Sequence, residues 1–340
     1  MKAIAKTGPP PGLELVDVDE PRVGPGEVLV EVKVCGLCGT DLHFYLSELG
    51  FERRITFPRI LGHEPAGIVR EVGRGVDGFR VGDHVVGEPH GACGRCETCR
   101  EGRPQFCERI PVLGSQRDGA LAALVAAPAE CLRHVPPDLD FLLASLLEPL
   151  SVGVHAVELS GLRPGEAALV LGPGPIGLIT ALAARAADAG TVVVTGLGID
   201  RQRLEMAHRL GFPTVNVEAN SPIEQIWGLV GERGAPVVFD TTGAMPDVPR
   251  ITRRGGRVVL IGWPRRALSL EELTEFFLRA ITLTPLRWRP EAIWPRVLDL
   301  VESGRIDPGP LVTHTLPLDE GIHGFDLLVR REAMKVQLVP

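Results

Sequence analysis

Long apolar runs are missing from this 340-residue chain, although 44% of it is hydrophobic. A membrane-spanning helix needs roughly 20 consecutive apolar residues, so no span and no membrane partner are expected. Positive charge is also short: 36 Lys and Arg face 43 Asp and Glu, a net charge of −7. Nucleic-acid-binding domains are normally basic, and no such partner is expected. Lysine stands only at positions 2, 6, 33 and 335, so nearly every basic residue is arginine. Seven cysteines are far too few to staple a chain of this length with disulfides. The opening Met1-Lys2-Ala3-Ile4-Ala5-Lys6 has no apolar signal core, and the expected address is the cytoplasm.

What is present divides into two textures, as suits a chain too long for one ordinary core. Residues 13–18 and 28–34 alternate apolar and polar, the mark of half-buried strands. Further short strands follow at Ala66–Val72 and Asp83–Gly87, so the chain reads as mostly β up to about 135. From 141 the pattern turns helical over Phe141–Leu150 and Val152–Leu159. Strands at Ala167–Leu171, Thr191–Thr195, Val237–Phe239 and Arg257–Ile261 then alternate with helices over 175–189 and Arg201–Leu210. Such alternation implies right-handed crossovers and a doubly wound parallel sheet of the Rossmann kind. The fold class is α/β, with a nucleotide-binding domain over 151–285 inserted in a β-rich domain made of 1–150 and 286–340.

Four of the seven cysteines fall at Cys93, Cys96, Cys99 and Cys107. Four thiolates at that spacing can wrap one tetrahedral Zn²⁺ with no open position, which is a structural site. Unrelated free thiols, or a zinc-ribbon module for nucleic acid, are the other readings; the second finds no basic patch. Gly172-Pro173-Gly174-Pro175-Ile176-Gly177 follows an apolar strand and opens a helix. In that setting the first glycine makes a tight turn, the second admits a pyrophosphate and the third lets helix and strand close-pack. A catalytic zinc needs about three protein ligands and one exchangeable position. Cys38, His63 and Glu148 offer a thiolate, an imidazole and a carboxylate from separate loops, though each alone reads equally well as an ordinary loop residue. Cys35 and Cys131 read as small buried hydrophobes.

Gly36-Leu-Cys38-Gly-Thr40-Asp41-Leu-His43, Gly62-His63-Glu64, the four-cysteine segment, Glu148-Pro-Leu-Ser-Val-Gly153 and Gly172-Pro-Gly-Pro-Ile-Gly177 come in this order. Together they resemble the zinc-containing medium-chain dehydrogenase/reductase (alcohol dehydrogenase) family over essentially the whole chain. Glu148, where liver-type enzymes carry cysteine, makes the polyol, sorbitol and threonine dehydrogenase branch the most similar. The resemblance implies a GroES-like catalytic domain, one catalytic and one structural Zn²⁺, and hydride transfer between a secondary alcohol and NAD or NADP. It further implies that Thr40 takes the hydroxyl proton and relays it through the cofactor ribose to His43. Glu64 would be an alternative carboxylate beside the ligand His63, and Asp41 a residue that holds the loop. A homo-oligomer, often a tetramer, is implied in the same way.

One departure concerns the cofactor. NAD-preferring relatives end the second strand of the sheet with an acid that binds the ribose hydroxyls. Here that strand runs Val192-Val-Val-Thr-Gly196-Leu-Gly-Ile-Asp200-Arg201-Gln-Arg203. Gly196 stands in the acid's place, Arg201 and Arg203 could pair with a 2′-phosphate, and Asp200 either reaches the ribose or caps the helix that follows. The balance favours NADP. The expected substrate is a polyol or sugar, with a threonine-type or simple secondary alcohol as the alternative. Arg287, Trp288 and Trp294 resemble that branch's pocket-lining arginine–aromatic segment, and Phe44 and Tyr45 are expected as an apolar wall. A zinc-free quinone or enoyl reductase and a non-enzymatic zinc-stabilised binding protein are the readings from other classes. Both would have to treat Cys38 and His63 as incidental.

Overall fold

The computed structural model describes residues 1–244, 247–287 and 290–340. The chain divides into two compact units: Met1–Glu148 with Pro290–Trp294 and Pro308–Pro340, and Pro149–Arg289 with Pro295–Asp307. The stretch expected to return to the first domain is thus shared, because residues 295–307 pack with the second unit. Among the described residues, no helix is long and apolar enough to cross a membrane.

The first unit is built on a seven-stranded sheet whose central strand is Glu27–Gly36. Its alternating sequence is matched by alternating burial until the last residues, which are buried on both faces. It pairs antiparallel with Glu64–Val72, and the register sets Gly36 opposite Glu64 and Cys35 opposite Pro65. On its other side, Leu338 of the strand Lys335–Val339 lies opposite Cys35. Three distant segments therefore arrive at one end of this sheet: the residues just after Gly36, those just before Glu64, and Lys335. A one-residue slip would turn every side chain to the opposite face.

The second unit carries six parallel strands. With strands numbered in chain order within this unit, the order across the sheet is third, second, first, fourth, fifth, sixth. That is the doubly wound order with its switch point beside the first strand, Ala168–Leu171. Leu169, Val193, Val215, Val238 and Val258, one from each of the first five strands, form the buried core together with Ile226, Ile251 and Phe276 from the covering helices. The strands Thr214–Asn216 and Thr282–Pro285 and the helices Pro222–Val230 and Leu270–Leu278 escaped the sequence reading. Both strands are short and lie at the sheet's edges, where neither alternation nor a continuous apolar run is required.

The three glycines of the turn serve three different needs. Gly172 has φ +99°, and a Cβ there would lie 2.8 Å from Thr241 and Thr242 side-chain atoms. A Cβ on Gly174 would meet nothing within 4 Å, so this face is open. A Cβ on Gly177 would lie 1.9 Å from the carbonyl oxygen of Gly172, so the helix can start this close to the strand only without a side chain. Gly177→Ala should therefore destabilise the nucleotide-binding unit by about 1–3 kcal/mol, the usual cost of overpacking. Thermal unfolding reads this as a lowered Tm; an unchanged Tm would show that the turn relaxes freely.

Candidate active site and metal centres

Strand register delivers Cys38, His63 and Glu64 to one place. Their ligand atoms all lie within 4.8 Å of one another, with His63 and Glu64 buried. Cys38 is the N-cap of the helix Gly39–Leu46, and its Sγ accepts from Thr40 N at 3.5 Å. Asp41 completes the cap by accepting from Cys38 N at 3.0 Å. The same carboxylate, fully buried, accepts from Gly62 N at 3.2 Å and stands 3.6 Å from His63 Nδ1. One anion thus ties the two loops and orients the imidazole.

Burial pulls the pKa of His63 down, but the charges of Asp41 and Cys38 outweigh it and push the pKa well above its ordinary value. This is the signature of an electronegative recess that favours a cation, and thiolate, imidazole and carboxylate are the donor set zinc takes. Glu64 is gripped from behind. Lys335, itself buried, donates through Nζ to Glu64 Oε2 and to Leu37 O, the latter at 2.8 Å. Burial raises the pKa of Glu64, Lys335 opposes that rise, and the nearby Glu148 adds to it. A Cβ on Gly36 would lie 2.1 Å from Glu64 Oε2, so a glycine is what lets the carboxylate rest against the strand.

Glu148, expected from the sequence as a ligand, is buried at the start of the helix Leu147–Ser160; the group whose ligand atoms lie within 4.8 Å of one another is Cys38, His63 and Glu64. Thr40 and His43 both lie on the helix Gly39–Leu46. His43 is half-buried: its Nδ1 meets Glu48 Oε1 at 2.6 Å and its ring packs on Phe51 at 4.9 Å. Phe44 and Tyr45 form no free wall. Phe44 is core, edge-on to Phe51, and Tyr45 Oη donates to Asp326 at 2.6 Å and stacks on Phe325. Trp294 likewise is buried, its indole donating to Glu88 at 3.2 Å. Arg287 is exposed, with its guanidinium 5.9 Å from the Trp263 ring centre. Trp288 lies outside the described residues.

The second group is Cys93, Cys96, Cys99 and Cys107, again with ligand atoms within 4.8 Å of one another. Cys107 Sγ accepts from Cys93 N and Arg109 N, each at 3.4 Å. The thiols are driven apart in acidity. A hydrogen bond from Thr98 and neighbouring N–H groups draw Cys96 down to about 6, while burial and its sulfur neighbours push Cys99 up to about 12. Four thiolates this close cannot all ionise without a cation among them, and a zinc ion fits that requirement.

At the glycine turn, the helix Pro175–Ala186 begins with no side-chain cap, so Ile176, Gly177 and their neighbours keep first-turn N–H groups without a side-chain acceptor. Such an end can receive a phosphate. The missing acid at 196 has a packing reason: a Cβ on Gly196 would lie 2.8 Å from the Pro173 ring. Asp200 does not cap the helix Arg201–Arg209, whose N-terminus has no side-chain cap bond; its carboxylate turns back to accept from Leu197 N at 3.1 Å. Glu218, unnoticed in the sequence, accepts from Gly198 N at 2.6 Å in the same turn. Arg201 is exposed, 3.8 Å from Glu205, and Arg203 is half-buried.

Residues 24–137 match the alcohol dehydrogenase GroES-like domain and residues 175–303 the zinc-binding dehydrogenase domain. The chain is 34% identical to the L-threonine 3-dehydrogenase of Bacillus velezensis, covering 100% of this chain and 99% of that one. It is 33% identical to the sorbitol dehydrogenase of Bacillus subtilis, over 94% and 92% of the two chains. A zinc-binding dehydrogenase from Sinorhizobium meliloti 1021, solved bound to NADP, superposes with a TM-score of 0.87 at 31% identity, covering 100% and 99%. The chain belongs to the zinc-containing medium-chain dehydrogenase/reductase family and is an NAD(P)-dependent alcohol dehydrogenase.

Proposed function

We propose that this enzyme oxidises the secondary hydroxyl of a polyol or sugar, with a threonine-type hydroxyl as the second reading, and that it carries two zinc ions per chain. The meeting of Cys38, His63 and Glu64 carries the proposal. Those three residues would hold the catalytic ion, with buried Glu148 as a further carboxylate, and the four cysteines would hold the structural one. When bound, zinc would supply the Lewis acidity that lets a hydroxyl ionise near neutral pH, and NAD or NADP would supply the hydride acceptor.

The chain's own residues do the rest. Asp41 fixes the His63 ring and both ligand loops, and Lys335 neutralises one oxygen of Glu64 while leaving the other for the metal. Thr40 Oγ accepts the hydroxyl proton as it gives up its own toward His43. His43, three residues along the same helix, has Nδ1 held by Glu48, takes that proton at Nε2 and releases it to solvent. Gly172, Gly174, Pro175, Ile176 and Gly177 would cradle the pyrophosphate. Gly196 removes the repulsion a carboxylate would offer a 2′-phosphate, and Arg201 and Arg203 attract one, so NADP is the preferred cofactor. Asp200, occupied by its own turn, contributes shape more than a ribose contact. The names of the B. velezensis and B. subtilis relatives support a hydroxyl flanked by a second polar group, which threonine and sorbitol share.

The exposed apolar residues Leu270, Leu273, Phe277 and Leu278, beside the edge strand Thr282–Pro285, support a homo-oligomer, and we place it as a tetramer, which light scattering checks. Seven free cysteines support a reducing, cytoplasmic setting.

Metal analysis should find two zinc per chain, one after Cys38→Ser with the fold kept and turnover abolished, and a poorly folded protein after Cys96→Ser. Full turnover in Cys38→Ser would overturn the catalytic assignment. His43→Ala should depress oxidation chiefly below neutral pH, with partial rescue by added buffer base, at or below the low end of the roughly 10²–10⁴-fold range for general acid–base assistance. An unchanged pH profile would remove His43. A panel of polyols, sugars, L-threonine and simple alcohols, run with both cofactors, addresses substrate and cofactor together. Joint Arg201→Ala and Arg203→Ala should weaken NADP roughly 10–100-fold and leave NAD unaffected, given what hydrogen bonds to charged groups are worth. A wild-type preference for NAD, or a simple alcohol as the best substrate, would contradict the corresponding part of the proposal.

A further inference from the structure

Arginine gathers at one place that the dehydrogenase reaction does not use. In the nucleotide-binding unit, Arg233, Arg250, Arg253, Arg254 and Arg279 line a cavity of about 600 Å³ together with Trp227 and Glu232. A neighbouring hollow of about 440 Å³ shares Glu232, Arg233 and Arg253 with it. Five guanidinium groups on one concavity are unexpected in a chain of net charge −7.

Local acids compensate only some of them. Arg250 pairs with Asp247 at 3.4 Å and Arg279 with Glu275 at 3.4 Å. Arg253 lies 3.2 Å from Glu166, but that carboxylate is also taken by Arg257. The side chains of Arg233 and Arg254, both exposed, have no hydrogen-bond or ion-pair partner among the described residues. Trp227 adds a donor: its indole Nε1 is shut from solvent and has no acceptor. Apart from Glu232, the charged and polar side chains lining the cavity are all donors.

Backbone geometry presents these groups deliberately. Between the strands Ala235–Asp240 and Thr252–Leu260 the register jumps from Ala235 opposite Thr252 to Val237 opposite Arg257. The extra residues of the second strand, Arg253 and Arg254 among them, are released from the ladder there, and bulges of this kind re-aim side chains. The cavity lies where these parallel strands begin. The glycine turn lies where they end, since Asp240 is level with Leu171, the residue before Gly172. Five residues at 3.3 Å rise separate the two ends by about 16 Å along the strand, so this is not the pyrophosphate cradle.

We propose that this cavity is a second anion site, built for a linear triphosphate chain, whether inorganic tripolyphosphate or the tail of a nucleoside triphosphate. Guanidinium forks match phosphate oxygens in pairs, several forks at different heights suit a chain with several phosphates, and the orphaned indole N–H supplies a further contact. Binding would bridge the segments 230–234, 250–254 and Arg279 and raise the stability of the unit by mass action.

The test uses zinc-loaded enzyme saturated with NAD(P), titrated calorimetrically with tripolyphosphate and with ATP at ionic strength held constant with NaCl, zinc retention being checked throughout. Saturable binding that survives saturating cofactor is expected, with a rise in Tm. Replacing the two exposed, unpaired side chains, Arg233→Ala with Arg254→Ala, should weaken it roughly 10–100-fold without changing the Tm of the ligand-free protein. Trp227→Phe should weaken it less. ATP binding more tightly than tripolyphosphate identifies the nucleotide as the ligand, and equal affinities identify the bare chain. Displacement by cofactor, abolition by matched NaCl, or undiminished affinity in the double variant would overturn the site.

Discussion

The buried carboxylate of Asp41 is the interaction on which the catalytic end of the first unit depends. It sits at the helix start that carries Cys38, bonds the backbone at Cys38 and at Gly62, and lies beside the ring of His63. A buried charge is costly unless it is paired and fully hydrogen-bonded, so the loops are held to the one arrangement that satisfies it. Glu64 follows His63 directly into the strand, and its own charge must then be answered. The answer is Lys335, among the few lysines of an arginine-dominated chain. A slender ammonium fits where the glycine at 36 leaves room, which a planar guanidinium fork would not.

The two candidate metal groups show how differently sites are written in a sequence. The cysteine lobe is local: four ligands within fifteen positions need only glycine turns to close, so spacing alone disclosed it. Cys38, His63 and Glu64 are assembled by the register of antiparallel strands, which sets Gly36 opposite Glu64. Alternation revealed those strands but not their pairing, and the cluster came from family resemblance. What escaped both were contacts between distant segments. Lys335 with Glu64, Tyr45 with Asp326 and Trp294 with Glu88 each join residues more than 200 positions apart. No local period predicts them, and so the hydrogen bonds that hold Tyr45 and Trp294 could not be read from the sequence.

The doubly wound sheet was legible for a different reason. Its central strands are buried on both faces and read as unbroken apolar runs, and the G-x-G-x-x-G turn follows one of them. The edge strands carry no such signal. Gly196 shows a further limit. From sequence it reads as a lost acid, a statement about the cofactor. In the fold it also makes room for the Pro173 ring, so substituting an acid there would disturb the turn along with the ribose contact. Arg201, exposed, and Arg203, half-buried, stand outside that turn and therefore report on cofactor choice more cleanly than Gly196 does.

If Cys38, His63 and Glu64 hold zinc as proposed, Asp41 preorganises that group without itself joining it. Chelator competition on Asp41→Asn measures this directly. Asparagine keeps the shape and one acceptor oxygen but loses the charge that steadies His63 and answers both loops. The zinc proposed at Cys38, His63 and Glu64 is expected to bind roughly 10–100-fold more weakly, the usual effect of losing a residue that orients a ligand, while the zinc proposed at the cysteine lobe is retained. Equal zinc affinity in the variant and the native enzyme would contradict it.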